Sequence, residues 1–245
     1  MKLRFYIGML KSRLIYDYKP FIRIKMKRFY SRFIQPGDLC FDIGSHTGNR
    51  SDVWLKMGAI VVAAEPQPAF ARLIDNKLGR KKNFTLLQMA IGDRQELTQL
   101  QISYLHPAIS TVSENWVQVM KEFDFSVNFD ESIEISITTL DHVIEQFGFP
   151  QFCKIDVEGY EEQVLMGLSS AIPSLSFEFF PTTLYHAVKC IDLLEVHSNY
   201  TYNWSLTETF KFRNKKWMSA TEMKHEIIGY TGRRSGDIYA ILKKP

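Results

Sequence analysis

The segment FDIGSHTG, Phe41 to Gly48, ends an apolar run with an acid, follows it with a glycine and places a second glycine four positions later. Such a bend closes a strand and starts a helix, which is how a doubly wound α/β sheet begins. It is a poor phosphate holder. The middle glycine of a dinucleotide loop is missing, and so is the lysine that ends a P-loop.

In an open parallel sheet, ligands lie beyond the carboxyl ends of the strands, so this first turn predicts a binding site. Asp42 can balance a cation, Gly44 and Gly48 let the backbone approach a ligand closely, and amides at the next helix start can receive a carboxylate. Glu65 follows the second apolar run, and Pro66 after it disfavours helical geometry at that acid. A carboxylate there reaches the ribose hydroxyls of a nucleoside lying across the sheet. Amine, carboxylate and ribose together describe S-adenosylmethionine.

Outward from that turn the chain alternates short apolar runs with amphipathic stretches. Strands are predicted at 39–43, 60–64, 84–89, 152–157 and 175–180, with helices over 50–57, from Pro68, over 140–147, over 160–168 and after Thr182 or Thr183. Residues 95–138 break the cadence. LTQLQIS and IEISIT read as antiparallel strands around an irregular acidic, Phe-rich stretch, KEFDFSVNFDES, that suits a lid-like loop. Two strand-like pieces follow in the tail, near 206–212 and 237–242. No internal repeat is present.

Asp42 to Gly48, Glu65-Pro66, Ala90 to Asp93, Thr139 to Asp141 and above all Lys154-Ile155-Asp156-Val157-Glu158-Gly159-Tyr160-Glu161 resemble the FkbM-type class I methyltransferases over roughly residues 38–180. The resemblance implies a Rossmann-like, seven-stranded, mostly parallel sheet with the last strand antiparallel. It also implies S-adenosyl-L-methionine as donor and a hydroxyl acceptor on a sugar, glycan or polyketide-like product.

Methylating an alcohol requires alignment and help in removing the hydroxyl proton. Asp156 ends the fourth strand and Glu158 follows it, so Asp156 is the expected general base and Glu158 the orienting group. An alternative gathers Asp156, Glu158 and Glu178 around Mg²⁺. Ile91 is placed against the adenine face, and Ser110, Thr111 and Trp116 near the acceptor. His46 and His106 read as loop residues. An N-methyltransferase acting on nucleic acid is disfavoured, because no Asn- or Asp-Pro-Pro-aromatic turn follows strand four. A module that binds the donor without turnover is the other alternative.

Composition fits one globular domain: 245 residues, 45% hydrophobic and 23% charged. The cysteines, Cys40, Cys153 and Cys190, form no CxxC pair and suggest a reducing cytoplasm. Residues 1–34 carry ten Lys or Arg against Asp17 alone and read as a basic extension to a domain at 35–245. Interleaved with Phe, Tyr, Ile and Met, they suit either a helical cap or contact with anionic lipid or nucleic acid.

Overall fold

The computed structural model describes residues 7–8, 20–123 and 127–243. The rest of the basic leader and residues 124–126 of the expected loop lie outside the described residues. The first strand, β1 (Leu39–Ile43), pairs in parallel with β2 (Ile60–Ala64) on one side and β7 (Phe152–Ile155) on the other. β3 (Phe84–Leu87) extends the sheet beyond β2, and β8 (Ser174–Phe179) lies beyond β7. β10 (Gly236–Leu242) runs antiparallel between β8 and β9 (Tyr200–Leu206). The order is 3-2-1-7-8-10-9, with the reversal between β1 and β7 that a doubly wound sheet uses for its ligand.

Strand side chains alternate between two buried faces, each covered by helices. Phe41, Ile43, Cys153, Ile155, Leu175 and Phe177 pack beneath α5 (Leu140–Phe147), α6 (Glu161–Met166), α7 (Leu184–His197) and α8 (Ala220–Ile228). The opposite face turns Cys40, Val61, Phe152 and Tyr239 toward α1 (Pro20–Tyr30), α2 (Asn49–Lys56) and α3 (Pro68–Leu78). α1 is bound to this face by Met26, Phe29 and Tyr30, all at 1% exposure or less, with Phe33 and Ile34 behind them. Burying each such side chain contributes about 1.5–3 kcal/mol. All three cysteines are buried and unpaired.

A second sheet is built from β4 (Ala90–Gly92), β6 (Glu131–Thr139) and β5 (Glu96–Ile102), with β5 and β6 antiparallel as expected. The run expected as one strand over 84–89 ends at Leu87, and the chain then changes sheets so that Ala90–Gly92 can pair with β6. Within the insert, Glu114–Phe123 forms a helix, α4, where a loop was expected. The Ser113 hydroxyl accepts from the Trp116 amide at its start, a cap that lends the segment a helical N-terminus. The Thr183 side chain does not cap α7; its hydroxyl donates to the Phe180 carbonyl instead. The tail strand expected near 206–212 lies upstream, as β9, because a turn with positive φ at Glu208 and Phe210 ends it.

Candidate active site

The carboxyl ends of β1, β2, β7 and β8 open into a cleft. The insert roofs it with Pro107, Ser110 and Thr111, and Thr207 and Glu208 close it beyond β9. Gly44, Glu65, Ile91, Asp156, Glu158 and Glu178 all line this one space. Gly44 is demanded by the fold itself: at φ 79°, a side chain there would collide with the Asp156 carbonyl on the neighbouring strand tip.

Two residues expected to contact a ligand do not line the cleft. The buried Asp42 carboxylate accepts from both the amide (3.2 Å) and the hydroxyl (2.5 Å) of Ser51, tying β1 to α2. Gly48 precedes α2 with φ 66°, and a Cβ there would stand 3.3 Å from Ile74 and Leu78, so it lets α3 approach. Both are structural supports of the turn.

Glu65 lies where the ribose-binding acid was expected. One carboxylate oxygen accepts from the His46 amide at 2.8 Å and the other from the Gln67 amide at 2.9 Å. Each oxygen retains capacity for a further donor from the cleft. Burial pushes its carboxyl up to about 7 despite the two backbone N–H groups. The His46 ring packs on Phe70 with centroids 4.2 Å apart, and burial lowers its pKa to about 4, so it is neutral at physiological pH.

The far wall is acidic. Ligand oxygens of Asp156, Glu158 and Glu178 all lie within 4.8 Å of one another. Beneath them Lys154, with no exposed surface, sends Nζ to Asp156 at 3.1 Å and to Asp237 at 2.9 Å. Arg50 reaches Asp156 from α2 at 3.6 Å. Burial alone would raise the Asp156 carboxyl, but Lys154 and Arg50 outweigh it and hold that group below the usual carboxylate range. Burial, then the Asp156 charge, pushes Glu158 and Glu178 well above theirs, and Glu178 donates a hydrogen bond to Asp156. Asp156 is thus held as the anion of the cluster, whereas Glu158 and Glu178 both favour their protonated forms.

The insert is fastened to this wall. The Thr111 hydroxyl donates to the Glu158 carbonyl at 2.8 Å. Trp116 lies over Gly159, where a Cβ would fall 2.7 Å from the indole carbons, and makes an edge contact with Phe180. Trp116 lines a smaller pocket that shares Glu178 with the main cleft. Ser110 and Thr111 line the main cleft, while His106 does not.

Arg50, Gln67, Thr207 and Glu208 also line the cleft and were not anticipated. A clue to Arg50 existed in its place two residues after Gly48, in the first turn of a helix that starts on the ligand side. Its Nε is buried with no hydrogen-bond partner among the described residues. Thr207 and Glu208 gave no such clue, because the turn that presents them was expected to be strand.

The model of the methyltransferase FkbM domain matches residues 42–221. A TehB-like SAM-dependent methyltransferase from Corynebacterium glutamicum is similar in structure, with TM-score 0.48 and 10% identity over 97% of this chain and 96% of that chain. A precorrin-6y C5,15-methyltransferase from Geobacter metallireducens gives 0.48 and 12% over 93% and 91%. A SAM-dependent O-methyltransferase from Thermotoga maritima gives 0.43 and 12% over 95% and 71%. Scores and identities this low say nothing of acceptor or mechanism. No curated protein matches the chain.

Proposed function

Since the chain belongs to the methyltransferase FkbM domain family, we propose that this S-adenosylmethionine-dependent methyltransferase acts on a hydroxyl group of a sugar, glycan or related small molecule. The observation that carries the reading is the pairing of Glu65 with the acidic group Asp156, Glu158 and Glu178 across a single cleft. Bound S-adenosylmethionine supplies a methyl group activated on a sulfonium. The residues present fit it. Glu65 can accept from the ribose hydroxyls, Ile91 and Phe70 offer apolar walls, and the Arg50 guanidinium in the cleft wall suits the methionine carboxylate. Asp156, held ionised, favours the positive end of the donor.

For an alcohol acceptor the proton must leave as the new carbon–oxygen bond forms. A base whose proton affinity lies near ambient pH does this best, and such a group typically contributes 10² to 10⁴ in rate. Glu158, whose proton affinity burial and the Asp156 charge raise, is our candidate for that role, with Asp156 orienting it. The insert is pinned over this end by Thr111 and Trp116.

A second reading rests on the spacing of the three carboxylates, which suits the hard oxygen ligation of Mg²⁺ and would lower the acceptor's pKa in place of a base. The Lys154 ammonium, 3.1 Å from Asp156, already supplies one positive charge there. Donor turnover across a panel of hydroxylated acceptors, with and without EDTA and added Mg²⁺, tests both. Release of S-adenosylhomocysteine that EDTA leaves intact supports the base. Activity abolished by EDTA and restored by Mg²⁺ supports the metal. Turnover with amines alone would overturn the hydroxyl assignment.

A further inference from the structure

We propose that the outward face of α1 docks on an anionic lipid surface. The helix commits Met26, Phe29 and Tyr30 to the sheet. On its opposite side Phe21, Ile24, Lys25 and Arg28 recur at helical spacing, within an arc of about 100°. Phe21 is 78% exposed and Ile24 67%, unusual for large apolar side chains on a helix whose other face is fully packed. Lys25, Lys27 and Arg28 are exposed around them, and α1 contains no acidic residue. Asp52, which faces it from α2, is already held by Arg23 at 3.1 Å and Lys56 at 2.8 Å.

Apolar side chains ringed by cations that make no ion pair among the described residues match a membrane interface: the apolar groups enter the headgroup boundary and the cations meet anionic lipid. Single-stranded nucleic acid is the weaker match, because Ile24 has no ring on which a base can stack. The sequence of residues 1–19 adds Lys2, Arg4, Lys11, Arg13 and Lys19 against Asp17, which increases the positive charge presented. The face is outside the cleft, so this reading stands or falls independently of donor binding.

Co-sedimentation of the full chain with phosphatidylcholine vesicles, with and without phosphatidylserine, tests it. Binding should require phosphatidylserine and fall with added salt. Lys25→Gln, Lys27→Gln and Arg28→Gln together should weaken it about a hundredfold, each charge near the surface being worth about fivefold. Phe21→Ser with Ile24→Ser should weaken it more than about tenfold. Both variants should keep the wild-type circular dichroism spectrum and donor affinity. Equal binding to neutral vesicles, vesicle binding untouched by either variant, or retention on RNA or DNA with no vesicle binding would each overturn the proposal.

Discussion

Replacing Lys154 with methionine should destabilise the protein mainly through charge. The side chain has no exposed surface, and methionine has similar volume, so the packing loss is small. What the change leaves is two buried carboxylates: Asp156, with Arg50 at 3.6 Å, and Asp237, with the Tyr239 hydroxyl at 3.4 Å. Removing one partner of a buried pair costs about 3–5 kcal/mol. Asp156 keeps Arg50 and its side chain is 18% exposed to the cleft, so the lower end, about 3 kcal/mol, is expected. That is roughly a hundredfold increase in the unfolded fraction.

The pH dependence separates charge from packing. The two carboxylates raise the folded pKa of Lys154 even though burial alone would lower it. Its contribution is therefore full below its unfolded value near 10.5 and is lost as pH rises through the folded one. Asp156 is depressed, so its contribution is full above its unfolded value near 3.8 and is lost as pH falls through the folded one. Wild type and variant should differ most between these limits. The gap should narrow on mild acidification, when the abandoned carboxylates of the variant take up protons. Urea denaturation followed by intrinsic fluorescence measures this. A gap below about 0.5 kcal/mol at neutral pH, or one that does not change with pH, would refute the reasoning.

Glu65→Ala should weaken S-adenosylmethionine binding tenfold to a hundredfold by calorimetry, about the value of one charged hydrogen bond, and leave the fold intact. In the wild type, donor affinity should rise as pH passes upward through about 7, where Glu65 ionises. Its contribution to stability runs the other way, present below the unfolded value near 4.5 and lost as pH rises through about 7; thermal denaturation across that range checks it. Glu158→Gln should keep donor affinity while turnover falls by about 10² to 10⁴, and an unchanged rate in a donor-turnover assay would remove it from the chemistry. Gly159→Ala, at φ 83° and against the Trp116 ring, should lower stability by about 1–3 kcal/mol and impair turnover by displacing the insert, with fluorescence of the indole reporting its movement.

Much of this was legible in local sequence. The apolar runs ending in Asp42, Glu65 and Asp156 mark parallel strands whose tips converge on one cleft, and Thr139 announces α5 as its cap. The amide-bound Glu65 stands where the acid after strand two predicts. What local pattern could not supply was partnership between distant segments. The burial of Lys154 depends on Asp237 from the last strand, and that ammonium, with Arg50, is what holds Asp156 ionised. Asp42 resembles a ligand group in sequence because its hydrogen-bond partner, Ser51, becomes a neighbour only when α2 folds back. Other misses had signals present: Ser113 caps α4 within a stretch read as loop, and Ser219 with Glu222 forms the capping box of α8.

A crystal structure of the protein with S-adenosylhomocysteine bears most directly on the central claim. The account predicts the ribose hydroxyls within hydrogen-bond distance of Glu65, the carboxylate beside Arg50 and the sulfur facing Asp156, Glu158 and Glu178. A nucleoside found outside this cleft, or inside it with Glu65 still bonded only to the His46 and Gln67 amides, would contradict it.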